Sequence, residues 1–202
     1  MIDFYTAPTP NGYKVQILLE ELGMKYEVHT LDLRKNEQKK PEFLKINPNG
    51  RIPAIIDRDG EYGRPIPVFE SGAILFYLAE KSHHFLGDSD HERAQVMSWL
   101  MFQMSGIGPH MGNYHYAKTH QIPQMMARFE QESMRLVGVM NLQLSAQEYL
   151  AGGFYSIADI ACYPWIASYL KSNPEWFEET PQVRRWAELI RQRPAVQKVV
   201  PA

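Results

Sequence analysis

Apolar positions along this chain follow two different periods, and the change of period divides it. Ile2-Asp3-Phe4-Tyr5 predicts a short strand, followed by turn-rich residues 6–12. Val15, Leu18, Leu19 and Leu22 fall at i, i+3, i+4 and i+7, one face of a helix, and Gly23 sits where a helix ends. Tyr26 to Leu33 alternates as a second strand, and the charged stretch Arg34 to Lys40 leads to a short helical piece at Pro41–Leu44. Ala54–Asp57 and Pro67–Phe69 predict two more strands with a turn at Asp59-Gly60. Ile74, Tyr77 and Leu78 then mark a helix, so the predicted order is β-α-β-α-β-β-α.

From His91 onward the strand pattern disappears. Val96, Trp99, Leu100 and Gln103 give one face of a long helix over residues 91–117, thickened by Met97, Met101 and Met104. Ser133, Leu136, Val137, Met140 and Leu144 mark a second long helix. Ser156-x-x-Asp159 has the form of a capping box, whose serine contributes about 1 kcal/mol. Behind it Ile157, Ile160, Ala161, Pro164 and Trp165 form an apolar face, and Pro164 is expected to kink this helix or end its first regular stretch. Pro181 suits the first position of a last helix ending near Arg193-Pro194. Charged and turn residues at Ser82–Asp90 interrupt the helical pattern. The chain therefore divides into an α/β domain over 1–81, a linker over 82–90 and an all-helical domain over 91–202.

Composition excludes classes without choosing a function. Of 202 residues, 45% are hydrophobic and 22% charged, the balance of a folded globular chain. A net charge of −2 gives no electrostatic ground for nucleic-acid binding. No apolar run is long enough to span a bilayer, so no membrane partner is expected. Met-Ile-Asp-Phe-Tyr lacks the basic start of a signal peptide, and a cytoplasmic location is expected. The single cysteine, Cys162, excludes an intrachain disulfide framework and is expected in the core. His110, His115 and His120 recur every five residues, a step of about 500° around a helix, so neighbours do not share a face. No cysteine or carboxylate cluster completes a ligand set, and no metal is expected. Tyr114, His115 and Tyr116 are expected at a second-substrate pocket or a dimer cleft.

Two stretches carry candidate chemistry. In Phe69-Glu70-Ser71-Gly72-Ala73-Ile74 a strand runs into a helix at an acidic residue and a serine, and a helix start favours an anionic group. In Asn47-Pro48-Asn49-Gly50-Arg51-Ile52-Pro53 a turn leads to a proline ahead of a strand. That proline has no N–H for a ladder, so an edge, a bulge or a cis bond is expected. A cis bond would expose the Ile52 backbone to an extended peptide. One contact for a peptide backbone and one for a carboxylate describe a small acidic peptide ligand.

Together these stretches resemble the glutathione-binding half of the cytosolic glutathione S-transferases. Tyr155-Ser156-Ile157-Ala158-Asp159-Ile160-Ala161 is similar to that family's signature at the start of a core helix, and the resemblance covers essentially the whole chain. The opening Tyr5-Thr6-Ala7-Pro8-Thr9-Pro10-Asn11-Gly12 looks most like the bacterial nu class, glutathione-dependent disulfide-bond oxidoreductases, and the yeast nitrogen-regulator branch. The resemblance implies the glutathione S-transferase fold, a thioredoxin-like α/β N-terminal domain followed by an all-α C-terminal domain, in a homodimer. It also implies roles for particular residues. Glu70 and Ser71 would hold the γ-glutamyl amino and carboxylate groups, and the Ile52 backbone, set by Pro53, would pair with the cysteinyl residue. Gln38, helped by Lys39 or Lys40, would meet the glycyl carboxylate. Thr9 and Asn11 would face the sulfur, Asn11 serving also as helix cap, and Arg128 would reach glutathione across the dimer interface.

One departure matters. Most members of the family place Tyr, Ser or Cys beside the sulfur, whereas here the residues after Tyr5 offer Thr9 and Asn11 and no Cys. Tyr5 itself lies inside the strand and is expected to pack. Lowering a thiol pKa from near ~8.5 by about two units takes roughly 2.7 kcal/mol of thiolate stabilisation. The donors for that are the Thr9 hydroxyl, the Asn11 amide and the N–H groups opening the first helix. The departure weakens the case for aryl-halide conjugation. The leading expectation is therefore reduction of small or mixed disulfides by the thiol of bound glutathione, as the nu-class resemblance implies. Conjugation to an electrophile or reduction of a hydroperoxide uses the same thiolate and stands second. A non-catalytic glutathione-binding regulator stands third.

Overall fold

The computed structural model describes residues 1–200. Its first part is built from β1 (Ile2–Thr6), α1 (Pro10–Glu21), β2 (Tyr26–Thr30), α2 (Pro41–Leu44), β3 (Ala54–Asp57), β4 (Ile66–Phe69) and α3 (Ser71–Ser82), the order the spacing predicts. The strands lie in the order β2-β1-β3-β4, with β1 and β2 parallel and the other pairs antiparallel. A parallel pair needs a crossover, and α1 supplies it. Val15, Ile17, Leu18 and Leu19 are fully buried because α1 is packed by α3 and by a helix of the second part. β2 stops at Thr30 rather than Leu33, since Asp32 accepts from the Arg34 N–H at 3.0 Å and starts a tight turn instead.

The second part is helical. Ser89 and Glu92 form a capping box at the start of α4 (Asp90–Phe102). A π-helical turn, Gln103–Ile107, joins it to α5 (Gly108–Thr119), so the helix expected over 91–117 is one run with a wide turn in the middle. Pro109 has no N–H, and the α-ladder loses a rung there. Val96 and Leu100 are buried as spaced, but Met101 is 48% exposed and does not thicken the buried face. α6 (Pro123–Ala146) buries Ser133, Leu136, Val137, Met140 and Leu144, the predicted face.

α7 (Ile157–Ser172) runs through Pro164, so the proline does not end the helix. Burial of Tyr163, Pro164 and Ile166 against the surrounding helices outweighs the lost rung. The start of α7 is locked by its capping box. Asp159 accepts from the Ser156 N–H and hydroxyl, both at 3.0 Å, from the Leu150 N–H at 3.0 Å and from Trp186 Nε1 at 2.9 Å. α8 (Pro181–Arg191) is followed by a further short helix that the spacing did not predict, α9 (Pro194–Val199). It packs on α1, and Arg193 holds Glu21 at 2.6 and 2.9 Å. Among the described residues no helix is long and apolar enough to cross a membrane.

Candidate functional site

A cavity of about 960 Å³ opens between the start of α1, the segments around Gln38 and Ile52, and the faces of α5 and α7. Its floor is the N-terminus of α1. Thr9 caps that helix, its Oγ1 accepting from the Gly12 N–H at 3.3 Å. Asn11, expected as the cap, lies instead in the first turn, and its Oδ1 accepts from Trp165 Nε1 at 3.0 Å. An indole N–H only donates, so the bonded atom of Asn11 is its oxygen and the amide NH2 is left without a partner among the described residues. Gly12 is required at this corner, because a Cβ there would meet Ala7 O and Thr6 Oγ1 at 2.4 Å.

One wall comes from the loops of the first part. Gln38 and Ile52 line the cavity, and Gln38 Oε1 is buried with no hydrogen-bond partner among the described residues. Lys39 lines it too, donating to Asn49 O at 3.2 Å, whereas Lys40 turns away to Glu37 at 3.0 Å. Asn47 shapes the turn, donating to Arg51 O at 2.6 Å and accepting from the Asn49 N–H at 2.9 Å. The Ile52-Pro53 bond is cis, and Pro53 is buried beneath the lining rather than part of it.

Glu70 and Ser71 form the start of α3, outside the lining but joined to it through Asn49, whose Nδ2 donates to Glu70 Oε1 at 3.3 Å. Glu70 has φ 69 and ψ 122 and makes no side-chain cap. A left-handed non-glycine residue costs of order 1–3 kcal/mol, so packing holds this turn in place, with the first N–H groups of α3 uncapped. Ser71 is buried and accepts from Lys14 Nζ at 3.3 Å.

The far wall belongs to the second part: Tyr114, His115 and Lys118 of α5, with Trp165, Ser168 and Tyr169 of α7. Among the described residues, Lys39, Arg51 and Lys118 line the cavity and no carboxylate does. Tyr116 stacks on His120 with centroids 4.0 Å apart and lies off the cavity, and His110 is engaged with Gly106 O at 2.8 Å. Arg128 is exposed on α6 and does not line the cavity of this chain. Tyr5 packs as expected, stacked on His29 at 4.6 Å and beside Phe43 at 5.9 Å. Among the described residues, Asp3, Glu27 and His29 are the only cluster of three possible metal ligands, off the cavity, and Arg58 occupies Asp3 at 2.8 and 2.5 Å. Cys162 is fully buried, and burial pushes its thiol far above the ordinary range.

Several residues at or beside the cavity were not assigned from the sequence, Trp165 and Lys14 among them. Trp165 was read only as part of an apolar face, since its bond to Asn11 spans 154 positions. Lys14 drew no assignment from the sequence, yet it is 1% exposed. Its place four residues before Leu18, one helical turn along the apolar side of α1, was the signal that could have found it.

Comparison with known proteins agrees with this architecture. Residues 2–80 match the family described as glutathione S-transferase, N-terminal domain, and residues 109–194 match glutathione S-transferase, C-terminal domain. The disulfide-bond oxidoreductase YfcG of Escherichia coli is 45% identical over 199 residues, covering 96% of this chain and 92% of YfcG. A glutathione transferase from Pseudomonas putida, solved with one glutathione disulfide bound per subunit, superposes with a TM-score of 0.93 at 40% identity, covering 98% of this chain and 89% of that one. One from Burkholderia graminis, with two glutathione molecules bound per subunit, gives 0.93 at 41% identity, covering 98% and 86%.

Proposed function

The chain belongs to the glutathione S-transferase family, and on that premise we propose that it reduces small or mixed disulfides with the thiol of bound glutathione. One observation carries the reading. The protein has a single cysteine, and it is sealed in the core with its thiol held protonated. A thiolate is the attacking species in exchange, so the electrons must come from the ligand. One glutathione thiolate attacks the disulfide, giving a mixed disulfide and one free thiol. A second glutathione then releases the other thiol as glutathione disulfide forms. The name of YfcG and the ligands of the P. putida and B. graminis proteins support this chemistry, and the cavity volume of about 960 Å³ leaves room for more than one peptide.

The residue roles follow from the same premise. Thr9 and Asn11 donate to the sulfur, the backbone of Ile52 beside cis-Pro53 pairs with the cysteinyl residue, and Gln38 with Lys39 meets the glycyl carboxylate. Glu70 takes the γ-glutamyl amino group, and Ser71 with the uncapped N–H groups of α3 takes its carboxylate. Arg128 would contribute from the second subunit of a homodimer, which accounts for its distance from the cavity of its own chain. Residues 1–81 then act as the glutathione-binding domain and 91–202 as the acceptor-binding domain, joined by 82–90, in a cytoplasmic enzyme with no metal requirement.

NADPH consumption in a glutathione-reductase-coupled assay with a small model disulfide tests the reading, run beside aryl-halide conjugation. Fast disulfide turnover with feeble conjugation is expected. Conjugation or hydroperoxide reduction as the dominant activity would make it an ordinary transferase or peroxidase, and binding with no turnover would make it a regulator.

A further inference from the structure

Lys14 is a buried amino group with no ion-pair partner among the described residues. Its Nζ donates to Gln103 Oε1 at 2.6 Å and to Ser71 Oγ at 3.3 Å, and lies 3.8 Å from Met104 Sδ. Three elements meet at this point: α1, the first turn of α3 and the π-helical turn that holds Gln103 and Met104. The contact is close, since a Cβ on Gly72 would meet Met104 Cγ at 2.8 Å. Ser71 Oγ faces Met104 Sδ at 3.6 Å, and a thioether is a weak acceptor, so the hydroxyl hydrogen has no strong partner inside the protein.

We propose that Lys14 is a positioning residue and buried counter-charge for the ligand carboxylate: by donating to Ser71 Oγ it turns that hydroxyl outward, and it takes up a proton when the anion docks against Ser71. The inference rests on the reading of Ser71 given above. Burial brings Lys14 down to about 7 in the free protein. The charged and titratable groups that face it are few. Glu70 stands at the start of α3, and Cys162 on α7 is kept neutral by its own burial. The π-helical turn presents only Gln103 and Met104. Glu20 and Glu21 at the far end of α1 are held by Lys198 at 2.7 Å and Arg193 at 2.6 Å. An anion beside Ser71 favours the ammonium form, so binding draws a proton and affinity falls as pH rises above about 7.

The experiment is calorimetric titration of the full chain with S-methylglutathione, whose blocked thiol removes thiol ionisation, in two buffers of different ionisation enthalpy. Wild type is expected to take up a proton and to lose about tenfold in affinity between about pH 6.5 and about 8.5. Lys14→Met is expected to bind more weakly at the lower pH, with no uptake and a flat profile over the same range. The ligand's own amino group contributes equally to both proteins. Wild-type binding without proton uptake overturns the proposal, and that measurement stands even where Lys14→Met fails to fold. Absence of any binding by wild type overturns the glutathione reading and this inference with it.

Discussion

Trp165 Nε1 donates to Asn11 Oδ1 at 3.0 Å, so a helix of the second part fixes the amide that the first part presents to the cavity. The bond decides which end of Asn11 faces a ligand. It leaves a donor there, and a donor is what stabilises a thiolate.

Trp165→Phe keeps a ring in the wall and removes the donor. The amide is then free to turn, and disulfide turnover is expected to fall about tenfold, the loss of roughly one hydrogen bond to a charged group. Glutathione affinity should stay within about twofold. Coupled kinetics and calorimetry on the same preparation check both halves.

Asn11→Ala and Glu70→Gln should separate the two ends of the site. The first removes a donor near the sulfur and is expected to lower turnover about 10- to 100-fold with affinity largely kept. The second removes a charge at the γ-glutamyl end and is expected to weaken binding by about tenfold or more. Equal losses of affinity in both would refute the division.

The cationic lining makes a prediction about acceptors. Lys39, Arg51 and Lys118 face the cavity without a carboxylate among its lining residues. Disulfides bearing carboxylates should show a lower KM than neutral ones, and the gap should close with added salt. Lys118→Ala should raise KM about three- to tenfold for the anionic acceptor alone.

Asp57 supplies a pH dependence of stability. Burial alone would raise its pKa, but the ammonium of Lys81, the Tyr77 hydroxyl at 2.8 Å and the Asp59 N–H hold it below the ordinary carboxylate range. A carboxylate depressed on folding stabilises the protein above about pH 4, and that stability is lost as pH falls through the folded value. Lys81→Met should be less stable than wild type by about 1–2 kcal/mol near neutrality, allowing for the partial exposure of Lys81. The difference should shrink below about pH 4, as urea unfolding across pH will show.

What was legible locally held up. The strand and helix order, the buried face of α6 and the Ser156–Asp159 box depend on contacts between residues close in the chain, where period and capping chemistry act. The candidate residues near the cavity separate along the same lines. Thr9, Asn11, Gln38 and Ile52 line it, whereas Pro53 lies beneath, Glu70 and Ser71 adjoin it through Asn49, and Arg128 stands away from it.

Sequence alone therefore determined the two-part architecture and the family, because both are written in short-range patterns and ordered motifs. Tertiary structure alone decided that α7 passes through Pro164, that α9 closes onto α1, that Thr9 rather than Asn11 caps α1, and that Lys14 is buried. Each of these outcomes is set by what packs against a residue from far along the chain. A proline's lost rung, an amide's orientation and a lysine's charge are decided by such neighbours, which no local period records.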